Sequence, residues 1–195
     1  MIKMNNSIKI ISTFVLIISL TGCGQNPVPA PAPTQSQNTT TPPAATAQTN
    51  QTTVYMIKPD DNGASANSVK VGCGDSAVPV TTTTISQYDA ANPVASINAA
   101  ILVIINMTAN QFQAQNLQNP LASQQVTIQS VDQSGTQLVV HLDGQFSFGG
   151  TCEMPRVRAQ IEETIKKAAL PGNTYTIDWN GGGQTAWDKA FSLKD

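Results

Sequence analysis

Gln125-Val-Thr-Ile-Gln-Ser-Val-Asp-Gln-Ser-Gly-Thr-Gln-Leu-Val-Val-His-Leu-Asp143 is the stretch on which the fold turns. Val126 and Ile128 mark one alternating run; Leu138, Val140 and Leu142 mark a second. Apolar residues at every other position line one face of a strand and leave the other face to water. Asp132-Gln133-Ser134-Gly135 between the runs is rich in turn formers, so the stretch predicts a β-hairpin over Gln125–Val131 and Gln137–Asp143.

Downstream of Gly149-Gly150 the period changes from two to about 3.6. Met154, Val157, Ile161, Ile165 and Ala168 form an apolar stripe, which predicts a helix over roughly Met154–Ala169. Pro155 is tolerated because it falls in the first turn. Arg158–Glu162, Glu162–Lys166 and Glu163–Lys167 are spaced for ion pairs on the wet face. Pro171-Gly172-Asn173 stops the helix, and Tyr175, Ile177 and Trp179 alternate in a last strand. Gly181-Gly182-Gly183 breaks that strand, and Trp187, Phe191 and Leu193 suit a short terminal helix packed back on the domain.

Upstream, Asn92-Pro93 is a helix start, with Asn as cap and Pro at the first helical position. Ile97, Ala100, Ile101, Ile104 and Ile105 follow at helical spacing, with no charged residue among them, so this helix is expected to be well buried. Thr108–Leu121 is amide-rich and carries no clear period. Val54-Tyr55-Met56-Ile57 reads as a short buried strand, Pro59–Gly63 as a turn, and Val69–Cys73 and Ala77–Ser86 as extended arms. The order β-α-β-β-α-β predicts an α/β fold of the α+β sandwich type, with two helices packed on one face of a small mixed sheet.

The amino-terminal part has a different composition. Lys3 and Lys9 precede the apolar run Ile10–Leu20, which is shorter than the roughly 17–25 residues of a spanning helix. Leu20-Thr21-Gly22-Cys23 resembles the lipobox of bacterial lipoproteins. The resemblance implies that residues 1–22 are a lipoprotein signal peptide and that Cys23 becomes the lipidated amino terminus, anchoring the protein on the extracytoplasmic face of the cell membrane. Pro, Ala, Gln and Thr dominate 24–52 and no charge occurs there, so 23–52 is read as the lipidated Cys and a disordered tether. As a flexible coil it covers about 30 Å; as polyproline II it reaches about 90 Å. The folded domain is expected over 53–195.

Composition bounds the chemistry. The net charge is −2, and only 11% of residues are Asp, Glu, Lys or Arg, against roughly 25% in an ordinary domain. No basic field marks a nucleic-acid binder. Of the three cysteines, Cys23 belongs to the lipobox. Cys73 and Cys152 then form an even pair, expected as a disulfide in an exported chain; two free buried thiols or a reactive cysteine are the alternatives. His141, the only histidine, lies on the strand face opposite Val140 and Leu142 and reads as a surface group. A Cys–His nucleophile would need Cys73 or Cys152 as thiolate beside it. Asp60-Asp61-Asn62-Gly63 is part of a calcium-loop pattern without its remaining ligands, so a turn without metal is expected. Asp143, Glu153 and Asp178 show no paired-acid spacing. No cofactor motif is present, because Gly181-Gly182-Gly183 opens no helix with a Lys. Arg156 and Arg158, basic residues at a helix start where they oppose the macrodipole, are candidate partner contacts.

Several of these segments, in order, resemble the GerMN (sporulation and spore germination) domain: Val54-Tyr55-Met56, Ala77-Val78-Pro79-Val80, the paired strands Val126–Asp143, Gly149-Gly150 and Arg158-Ala159-Gln160-Ile161. The resemblance implies a non-enzymatic envelope lipoprotein that works through protein–protein contact, with an envelope protein or further copies of itself as partner. It departs from the family at Thr81–Thr84, which stand where a basic residue is usual, and in the long loop 106–123. Two other readings stay open: a lipoprotein binding cell-wall glycan or a small solute through exposed Trp179, Trp187 or Tyr175, and an unrecognised hydrolase.

Overall fold

The computed structural model describes residues 51–83, 89–108 and 111–192. Within them the chain forms β1 (Gln51–Lys58), β2 (Val69–Lys70), β3 (Ser76–Thr83), α1 (Pro93–Asn106), β4 (Gln125–Ser134), β5 (Gln137–Gln145), α2 (Glu153–Ala168), β6 (Thr174–Trp179) and α3 (Gly183–Ala190). The mixed α+β sandwich expected from the element order is the architecture seen. Its strands divide between two three-stranded sheets, ordered β1-β3-β2 and β4-β5-β6. The first is antiparallel throughout; in the second β4 and β5 are antiparallel and β5 and β6 parallel.

The hairpin forms in the expected place but is longer. Ser134 pairs with Gln137, so the turn is only Gly135-Thr136, and Asp132 and Gln133 belong to the ladder. Both side chains are exposed at this end of the hairpin, so their polarity does not oppose strand structure. A bulge between Ile128 and Ser130 shifts the register. This is why Val126 and Val131, an odd number of residues apart, are both buried. Gly144 (φ +140°) lies where a Cβ would collide with the Gln125 carbonyl, so this crossing of β4 and β5 admits only glycine.

Asn92 caps α1 as expected: its Oδ1 accepts from the backbone N–H groups of Val94 (3.0 Å) and Ala95 (3.2 Å). The far end of α1 is satisfied by a residue from the amide-rich loop. Buried Asn119 donates from Nδ2 to the carbonyls of Ile104 (2.8 Å) and Met107 (2.9 Å). One core joins five of these elements: Val54 and Met56 of β1, Ile97, Ile101 and Ile104 of α1, Leu138, Val140 and Leu142 of β5, Val157, Ile161 and Ile165 of α2, and Ile177 of β6.

β1 stays out of the second sheet because α2 occupies its free edge. The Tyr55 N–H donates to Thr164 Oγ1 (3.0 Å), and the Tyr55 carbonyl accepts from Gln160 Nε2 (3.0 Å). Ile57 exchanges backbone hydrogen bonds with Gln118 at 2.9 and 2.7 Å. Gln160 and Thr164 are both fully buried polar residues, and these bonds satisfy them. The expected arm around Ala77 is β3, folded back antiparallel onto β1 from Gln51↔Thr83 to Lys58↔Ser76.

Candidate interaction surface

The expected disulfide is present. Cys73 and Cys152 are bonded with Cα atoms 5.8 Å apart, which ties the loop between β2 and β3 to the start of α2. The bond leaves neither sulfur as a thiolate nucleophile. Cys23, the signal segment, the tether up to residue 50, Ser86 at the end of the arm and Leu193 lie outside the described residues.

The loop 59–75 is held by its own polar side chains. Asp61 accepts from the Ser65 N–H (2.9 Å) and Ser65 hydroxyl (2.7 Å) and pairs with Lys58 Nζ at 3.0 Å. The Ser65 backbone N–H, then its hydroxyl, hold the Asp61 carboxyl far below the usual carboxylate range. The Asp60–Gly63 segment is therefore an internally pinned turn. Among the described residues no group of three His, Cys, Asp or Glu side chains is placed to hold a metal ion.

Arg156 and Arg158 are both engaged within the molecule. Arg156 Nε donates to Asp75 Oδ2 at 2.6 Å, and the buried Asp75 also accepts from the Asp60 N–H (3.1 Å). This pair lies beside the disulfide and braces the same loop, which accounts for a basic residue at a helix start. Arg158 bridges Glu162 (2.9 Å) and Asp188 (2.8 Å) and lies over the Phe191 ring, joining α2 to α3. Glu162 also accepts from Trp187 Nε1 (2.8 Å), so the expected Glu162–Lys166 pair does not form; Lys166 pairs with Glu163 instead.

His141 lies on the outer face of β5, as its strand phase required. Nδ1 is 2.8 Å from Asp178 Oδ2 and Nε2 is 3.1 Å from Asp132 Oδ2. A neutral ring donates to one of these carboxylates; only the imidazolium donates to both. Both ring nitrogens face carboxylates, so neither is set to take a proton from a hydroxyl. Asp178 also accepts from the Gly183 N–H at 2.6 Å. That backbone bond, followed by His141, lowers its carboxyl below the ordinary value. The glycine run that ends β6 is an ordered turn that Asp178 fastens to the start of α3.

The aromatic residues considered as sugar platforms are buried. Trp187 is fully enclosed and Trp179 nearly so. Trp179 and Phe146 stack at 4.4 Å, Phe146 and Phe148 at 5.4 Å, and Phe191 closes the cluster. The half-buried Tyr175 donates its hydroxyl to the Glu162 carbonyl (3.2 Å), and burial, helped by Glu162, pushes its phenol up to about 12.

Among the described residues, a groove of about 810 Å³ lies between the 113–123 segment and the start of α2. Gln113, Asn116, Gln118 and Ser123 line one side, and Glu153 and Arg156 the other. Glu153 is held by Gln124 (3.0 Å) and the Gly149 N–H (2.6 Å). The groove is open to solvent, and Leu117, Pro120 and Ala122 lie among its amide and charged side chains. No family model, curated protein or solved structure matches the chain.

Proposed function

We propose that the chain is a lipid-anchored extracytoplasmic interaction module. In this reading Cys23 carries the lipid, 24–52 is a tether, and the GerMN-like domain docks on an envelope protein or on a further copy of itself. The observation that carries the reading is the disulfide between Cys73 and Cys152, in a domain whose Arg156 and Arg158 are both spent on internal pairs. Disulfides persist in oxidising compartments outside the cytoplasm. A weakly charged, amide-rich surface is compatible with protein contact, and the order of its segments suits the GerMN resemblance. Two experiments test the reading. Cys23→Ala is expected to move the chain from the membrane fraction to the soluble fraction. Crosslinking in intact cells is expected to trap a reproducible protein partner or dimer. Unchanged membrane retention sinks the anchor, and recovery of monomer alone sinks the interaction role.

A further inference from the structure

We infer that the open edge of β3 is a self-association surface, on which a second copy of this chain adds its own β3 antiparallel, centred on Thr82. The strand alternation fixes which backbone groups are available. Tyr55 and Ile57 of β1 spend their N–H and C=O groups away from β3, on Thr164, Gln160 and Gln118. Their register partners Pro79 and Ala77 must then also point away from β1. Two observations agree: Ala77 pairs with Val69 of β2 on that outer side, and the outer carbonyl of Asp75 accepts from the Val71 N–H (2.8 Å). Continuing the alternation, Thr81 and Thr83 present their N–H and C=O groups outward. β2 ends opposite Ala77, so no strand covers Val78–Thr83 on this side among the described residues.

The other edges are guarded in ways this one is not. β1 is sealed at Tyr55 and Ile57, which leaves outward backbone groups without a described partner only at Gln51 and Thr53, where the strand begins. β2 has two residues, one of them Lys70. β4 is bulged before Ser130 and carries Asp132. On β6, the Ile177 N–H is taken by Gln184 of α3 (2.8 Å). On β3 only Pro79 interrupts the outer row, by lacking an N–H where one would otherwise point outward.

The occupant follows from symmetry and charge. Ser76–Thr83 carries no charge, so two copies meet without repulsion. A twofold axis at Thr82 places Thr81 of each copy opposite Thr83 of the other, each pair exchanging both backbone bonds. Thr82 then faces Thr82 of the second copy in the close, non-hydrogen-bonded position, with Pro79 outside the paired segment. A shallow hollow of about 110 Å³ beside Thr82 and Thr83, lined by Val103, Asn106 and Met107, leaves room for the incoming side chains.

The inference rests on the interaction reading and names its surface and partner. The test uses the full chain purified in mild detergent. Thr82→Cys is expected to give a reducible dimer on mild oxidation, above the background of wild type, whereas Thr53→Cys on the opposite edge of the sheet is not. Thr81→Pro removes only an outward N–H, so it is expected to keep the circular dichroism spectrum while raising the dimer Kd by roughly tenfold or more in sedimentation. A monomeric wild type overturns the inference. So does a dimer that ignores Thr81→Pro and gives no Thr82→Cys product. If in-cell crosslinking still traps a different protein, the interaction reading survives and the edge pairing alone falls.

Discussion

Gln160→Leu tests the packing of the whole domain in one substitution. Gln160 is fully buried on α2; its Oε1 accepts from the Leu121 N–H (3.3 Å) and its Nε2 donates to the Tyr55 carbonyl (3.0 Å). Leucine fits a similar volume and removes both bonds. An orphaned buried backbone group costs about 1–3 kcal/mol; the Leu121 N–H is buried but its contact is long, and the Tyr55 carbonyl is partly buried, so the loss is about 2–4 kcal/mol. Burying an apolar side chain in place of an amide returns about 1 kcal/mol. The net destabilisation is about 1–3 kcal/mol. With a slope of about 2 kcal/mol per molar urea, the unfolding midpoint falls by roughly 1 M at unchanged slope. Far-UV circular dichroism in urea measures it. A midpoint indistinguishable from wild type would refute the idea that α2 side chains seal the edge of β1.

Reducing the Cys73–Cys152 bond, or replacing both residues with Ser, is expected to cost roughly 4 kcal/mol in the chain-entropy model, read as a lower unfolding midpoint. Tyr175 titrates late, at about 12, so its share of stability is present below pH ~10 and is lost as pH rises through the folded value. Absorbance at alkaline pH should show a late phenol that Tyr175→Phe removes, beside Tyr55, which burial also raises above the ordinary value. Asp178 has a depressed carboxyl, so its contribution is present above the unfolded value near pH ~4 and is lost as pH falls through the lower folded value. Asp178→Asn should flatten that acid limb in a stability–pH series, and an unchanged limb counts against the Gly183 and His141 contacts.

Much of the fold was legible because its apolar periods are clean. Leu138, Val140 and Leu142 announce β5; Val157, Ile161 and Ile165 announce α2; Asn92-Pro93 announces α1. The step from Ile128 to Val131 broke the alternation and signalled a bulge that a simple strand reading passes over. The pairing of β1 with β3 was not legible, since a threonine run has no apolar phase to set its face. The division into two sheets was missed for a related reason. Gln160 and Thr164, polar residues beside the apolar stripe of α2, were the signal that this helix bonds a strand edge rather than simply covering a sheet. The basic pair at the start of α2 stood out in sequence, but its explanation, a buried Asp75, lies 81 residues away. The disulfide was readable from cysteine parity once Cys23 was set aside.

The intact mass of the chain recovered from the membranes of producing cells tests the central claim most directly. The expected species begins at Cys23, carries acyl groups on that residue, and lacks the hydrogens lost in the Cys73–Cys152 bond. A chain that starts elsewhere, or an unmodified Cys23 together with reduced Cys73 and Cys152, would contradict it.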